Sequence, residues 1–90
     1  MFAVLLHPKA DKALNDLSDE DCLQCSAELH LLSINPFPGY GGDKEKLEGR
    51  KNKYRMHISR TYSAIYEIDK EKKLVYVLAF GTIGDIHKIY

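Results

Sequence analysis

The apolar residues of this chain change their period once, and that change limits the folds open to it. Ala10, Ala13, Leu14 and Leu17 recur at i, i+3, i+4 and i+7, and Cys22, Cys25, Leu29 and Leu32 continue at helical spacing. From Leu47 onward the period is two: Tyr54, Met56 and Ile58 alternate with Arg55 and His57. Tyr62, Ala64, Tyr66 and Ile68 likewise alternate with Thr61, Ser63, Ile65 and Glu67. Between the two regimes stands Asn35-Pro36-Phe37-Pro38-Gly39-Tyr40-Gly41-Gly42, too rich in Pro and Gly to continue either element. Helices followed by a hairpin-built sheet must then stack, because neither layer buries its apolar side alone.

Local signals place the elements. Phe2–Leu6 is a short continuous apolar run, which reads as a strand with both faces covered. Pro8 suits the first turn of a helix, where its missing N–H costs nothing. Ser18 is positioned as the N-cap of a second helix over residues 19–32, with Asp19, Glu20 and Asp21 complementing the helix dipole. Ser59-Arg60 is a two-residue turn, Asp69–Lys73 a second turn, and Leu74–Phe80 an apolar run suited to a central strand. Gly81 and Gly84 then leave a short tail, Asp85–Tyr90. The expected fold is α+β in the order β-α-α-β-β-β-β, with two N-terminal helices on one face of a small, mainly antiparallel sheet. A chain of 90 residues supports one core, so residues 1–90 are expected to form a single domain.

Several functional classes are set aside at this stage. No apolar run approaches the ~18–20 residues that span a bilayer, and the start lacks the basic segment of a signal peptide, so a cytoplasmic protein is expected. Cys22 and Cys25 form a CxxC, but no second pair completes a tetrahedral set. Inside a helical pattern the two thiols read as buried small hydrophobes, and neither metal nor cofactor is expected. Gly39-x-Gly41-Gly42 lacks the preceding strand and following Lys-Ser/Thr of a phosphate loop, and reads as a connector.

Charge supplies the functional signal. The chain is neutral, with 13 basic and 13 acidic residues, but the charges are separated. Lys44, Lys46, Arg50, Lys51, Lys53, Arg55 and Arg60 face only Glu45 and Glu48 before Ile65, while acids cluster in the N-terminal third. Such a chain can present one positive face to a phosphate backbone. Strand alternation sharpens this: if Tyr54, Met56 and Ile58 meet the helices, Arg55 and His57 point to the opposite, open face, and Ser63 and Ile65 share it.

At this point the sequence resembles the RelE/ParE superfamily, the toxins of type II toxin–antitoxin pairs. The likeness rests on HPKADKALNDL, LEG followed by YRMHI, TYSAIYEI, and LVYVLAFG leading to HKIY, in order over essentially the whole chain. The resemblance implies a ribosome-dependent mRNA endonuclease that needs no metal, silenced by an antitoxin segment that is acidic or amphipathic and at least partly helical. A toxin–antitoxin hetero-oligomer follows from that pairing. It also implies catalytic roles for Arg55, His57, His87 and Tyr90. Lys44, Lys46, Arg50, Lys51, Lys53 and Arg60 are the expected RNA contacts.

In the RelE-like mechanism the ribose 2′-OH attacks the adjacent phosphate, which calls for a base, cations for the phosphorane charge and an acid for the leaving oxygen. His57 and His87 both remain open as the base. Two positions depart from the pattern: Ser63 and Ile83 stand where many relatives carry arginine. The alternative is therefore a ParE-like gyrase inhibitor, or a catalytically attenuated homologue that acts by binding alone.

Overall fold

The computed structural model describes residues 1–39, 42–49 and 51–90. The elements are β1 (Ala3–Leu6), α1 (Pro8–Asn15), α2 (Asp19–His30), a 3-10 turn (Leu31–Ser33), β2 (Lys44–Lys46), β3 (Lys53–Ile58), β4 (Tyr62–Asp69), β5 (Leu74–Thr82) and α3 (Ile83–Ile89). Pro8 opens α1, and His7 Nδ1 accepts the Lys9 N–H at 3.1 Å. Ser18 Oγ caps α2 by accepting the Asp21 N–H at 3.2 Å. The expected second helix is thus present, but its last turn tightens to 3-10 geometry before the Asn35-Pro36 break. Of that connector, Tyr40 and Gly41 lie outside the described residues.

The strands form one sheet in the order β1-β5-β4-β3-β2, antiparallel except for β1, which runs parallel to β5 along the edge. The parallel pairing requires a crossover, and α1 and α2 supply it. Because β1 lies at the edge, only Val4 and Leu6 are covered. Ala3 and Leu5 are exposed, so the expectation of two covered faces fails for this strand. The β3–β4 hairpin turns at Ser59 and Arg60, both with positive φ (49° and 62°), and the Thr61 N–H closes it on the Ile58 carbonyl.

The main core lies between the two N-terminal helices and the sheet. Ala10, Leu14, Cys25, Leu29 and Leu32 meet Met56, Ile58, Ala64, Tyr66, Ile68, Val75, Val77 and Phe80. Cys25 is buried in it as a small hydrophobe, and burial pushes its thiol up from the ordinary value. Tyr54, Tyr62 and Tyr66 face this core as the alternation requires, and the Tyr66 hydroxyl lies inside it. It is fully buried and donates to the Pro36 carbonyl at 2.7 Å.

A bulge sets the phase of β5. Ile65 pairs with Ala79 and Tyr66 with Val77, so Leu78 is the extra residue. Val75, Val77 and Phe80 can then all enter the helix-side core, while Leu78 and Ala79 pack on the other face.

That other face is not open, which corrects the sequence reading. The C-terminal tail is helix α3, started by Thr82 Oγ1 accepting the Asp85 N–H at 3.2 Å. Ile86 closes a second apolar cluster with Leu47 and Ile65, flanked by Leu78, Ala79 and Tyr90. Ser63 and Ile65 do lie on the face opposite the main core, yet both are fully buried. Among the described residues no helix is long and apolar enough to cross a membrane.

Candidate active site

Period-two alternation on β3 puts Arg55 on the sheet face away from α1 and α2, between Glu45 of β2 and Ile65 of β4. Arg55 Nε donates to Glu45 Oε1 at 2.8 Å, and a second guanidinium nitrogen donates to the same oxygen. From the other side α3 brings His87, whose Nδ1 lies 3.4 Å from the third guanidinium nitrogen. A guanidinium only donates, so Nδ1 accepts and the neutral ring carries its proton on Nε2, away from Arg55. The guanidinium is largely enclosed, with the Arg55 side chain 16% exposed, while Glu45 remains half-exposed at 52%.

His57 follows two residues along β3 on the same face, is exposed, and pairs across from Ser63. Among the described residues its ring has no hydrogen-bond partner. Glu45 senses the whole group. Its carboxyl is held below the ordinary carboxylate value, chiefly by the Arg55 hydrogen bond; burial works against this, and the charge of Arg55, with those of His57 and His87 in their protonated forms, adds to the lowering. Tyr90, half-buried at the end of α3, packs against the Leu47–Ile65–Ile86 cluster that floors the site.

The four residues singled out from sequence as catalytic therefore lie on one face, and His87 contacts the Arg55 guanidinium. The expected RNA contacts divide. Lys53 lies on the site face, 3.9 Å from Glu67. Lys51 and Arg60 are exposed at the two ends of β3. Lys44 and Lys46 pair with Met56 and Tyr54, which puts them on the opposite, helix-side face. Lys44 Nζ is spent there on the Asn35 carbonyl at 2.8 Å. Arg50 lies outside the described residues.

Glu45 is the site residue that sequence reading missed. Recognising Lys44–Lys46 as a strand would have placed its side chain opposite both lysines, hence beside Arg55. Ser63, expected from the strand alternation to stand on an open face, is fully buried beneath α3, and among the described residues its hydroxyl has no partner.

Comparison with solved structures identifies the architecture. The toxin in the archaeal RelE–RelB complex from Pyrococcus horikoshii OT3 superposes with a TM-score of 0.77 at 26% identity, over 92% of this chain and 96% of that one. The chain has the RelE-toxin fold. It falls within the RelE-like toxin superfamily that the sequence resembles. The isolated E. coli RelE toxin matches over 100% of both chains with a TM-score of 0.73 and 19% identity, a likeness of fold. A chain of the E. coli DinJ–YafQ complex matches with a TM-score of 0.71 and 16% identity, over 96% of this chain and 98% of that one. No protein-family profile and no curated protein matches the chain.

Proposed function

We propose that this RelE-like protein is the toxin of a type II toxin–antitoxin pair and acts as a metal-independent endoribonuclease on mRNA in the ribosome. The observation that carries the reading is the contact between Arg55 on β3 and His87 on α3. It gathers a guanidinium and two imidazoles on one face, beside a terminal tyrosine.

The chemistry follows from the geometry. A phosphodiester at Arg55 meets a fixed charge that offsets the negative charge growing on the non-bridging oxygens. His57, solvent-accessible and unpartnered among the described residues, accepts the proton of the attacking 2′-OH. Glu45 suits that role poorly, because its ion pair lowers its basicity. The Nε2–H of His87 faces away from Arg55 and supplies a hydrogen bond to the leaving 5′-oxygen. Bond formation from O2′ to phosphorus and loss of O5′ leave a 2′,3′-cyclic phosphate and a 5′-oxyanion that takes a proton from water to become the 5′-hydroxyl, while His57 returns its proton to solvent. Tyr90 offers a ring for stacking. Lys51, Lys53 and Arg60 extend the phosphate contacts along β3, and the cognate antitoxin silences the site as a helical, amphipathic segment.

Purified protein added to ribosomes programmed with mRNA should cut the message, and Arg55→Ala combined with His87→Ala should abolish cutting. Intact transcripts at stoichiometric protein reject the reading. A second reading, a binding-only toxin or ParE-like gyrase inhibitor, is favoured by Ser63: the position is sealed under α3 and offers no cation. Growth arrest with intact mRNA and impaired DNA supercoiling would select it.

A further inference from the structure

Helix α2 is apolar on two opposite sides. One side buries Cys25 and Leu29 against the sheet. The other carries Leu23, Ala27 and Leu31 at i, i+4 and i+8, and Ile34 prolongs the row at the end of the 3-10 turn. Leu23 is 73% exposed, Leu31 51% and Ile34 66%, with Ala27 exposed between them. One exposed leucine is ordinary, but a row of apolar side chains turned away from the core marks a surface that meets another molecule. α2 lies in the layer opposite Arg55, so this row is no part of the site described above.

We infer that this row is the contact through which two copies of the chain pair, α2 crossing α2 antiparallel about Ala27. The spacing is self-complementary, because Leu23-x3-Ala27-x3-Leu31 reads the same in both directions. Turning one copy over about an axis at Ala27 seats Leu23 against Leu31 of the second copy at both ends, the isologous arrangement of a closed pair. A row at i, i+4, i+8 is also the ridge used in the commonest helix crossing, with axes about 50° apart. Ala27, the small residue, stands at the crossing point, where the two backbones come closest. Charge selects the direction. Asp19, Glu20 and Asp21 crowd the start of α2, and beyond Glu28 the only titratable group before Pro36 is His30. Antiparallel pairing lays the acidic start of one helix beside the end of the other that holds His30. Parallel pairing would lay three carboxylates on their own copies. A single helix face buries less than the ~1,200 Å² of a standard interface, so the pair is transient, with a Kd of roughly 10–100 μM. Both Arg55 faces then point outward, and the pairing stands apart from the nuclease reading.

Sedimentation equilibrium of the full chain, over concentrations that bracket this Kd, tests the pairing. The average mass should climb from one chain to two and stop there. Leu31→Glu and Leu23→Glu alter exposed side chains; each should keep the urea midpoint and hold the chain as a monomer. Ile89→Asp, on the other face, should associate as the wild type does. Mild oxidation should cross-link Ala27→Cys to itself, since the axis brings the two Cβ atoms within the ~3.5–4.5 Å of a disulfide. Leu23→Cys should not cross-link to itself, and the wild type, with Cys22 and Cys25 alone, sets the background. A wild type that stays monomeric, mass that grows beyond two chains, or association abolished by Ile89→Asp but not by Leu31→Glu would each overturn the inference. Leu23→Cys linking as readily as Ala27→Cys would overturn the antiparallel register.

Discussion

Glu45 holds Arg55 through two guanidinium nitrogens across the β2–β3 pairing, so the cation best placed for a phosphate already carries a carboxylate. An entering phosphodiester must compete with that carboxylate. The pair keeps the guanidinium oriented, but it also lowers the positive potential of the face.

Glu45→Gln should therefore raise RNA affinity, by up to about fivefold if the half-exposed pair is worth at most about 1 kcal/mol. The same substitution should cost no more than that in stability at neutral pH. Because the folded carboxyl is held below its ordinary value of 4.5, its contribution is present above pH 4.5 and is lost as pH falls through the folded value. Urea unfolding of the two proteins should differ at pH 7 and converge in acid, and a difference that persists in acid would contradict the pairing.

Ser63 should respond in opposite directions to two substitutions. Among the described residues its buried hydroxyl has no partner, so Ser63→Ala should raise stability by about 1 kcal/mol, read as a higher midpoint in urea. Ser63→Arg inserts an unpaired cation beneath α3 and should cost about 3 kcal/mol or more, or expel the helix. Limited proteolysis near Ile83 distinguishes those two outcomes.

The β3–β4 turn stores strain. Ser59 and Arg60 both have positive φ, a region that suits Asn and Gly. Ser59→Asn with Arg60→Gly should stabilise the fold by about 1 kcal/mol, measured by thermal melting. A neutral or destabilising result would mean the turn is held by contacts of the Arg60 side chain.

Tyr66 makes the fold sensitive to alkali. Burial, with a smaller effect from Tyr54, pushes its phenol well above the ordinary value of 10. A raised folded value means its contribution is fully present below pH 10 and is lost as pH rises through the folded value. Tyr66→Phe removes the hydrogen bond to Pro36 and should cost about 1–2 kcal/mol at neutral pH. It should also flatten the loss of stability between about pH 10 and 12. A wild type with flat stability across that window would contradict the burial of the hydroxyl.

Local pattern alone determined the faces. Alternation along β3 is a property of extended backbone, so once Tyr54 and Met56 were assigned to the core, Arg55 and His57 had to project from the other side. Caps at His7-Pro8 and Ser18 and the turn at Ser59-Arg60 were legible for the same reason: each depends on three or four neighbouring residues. What only the tertiary structure decided was which distant groups meet Arg55. The seven residues of α3 are too few to be a stable helix alone, and they form one because Ile86 finds Leu47 and Ile65 on the sheet. The three residues of β2 are too few to announce a strand, and their register turned Lys44 and Lys46 to the far face while delivering Glu45 to the site. Pairing across the chain is selected by the area it buries, and no stretch of sequence contains that quantity by itself.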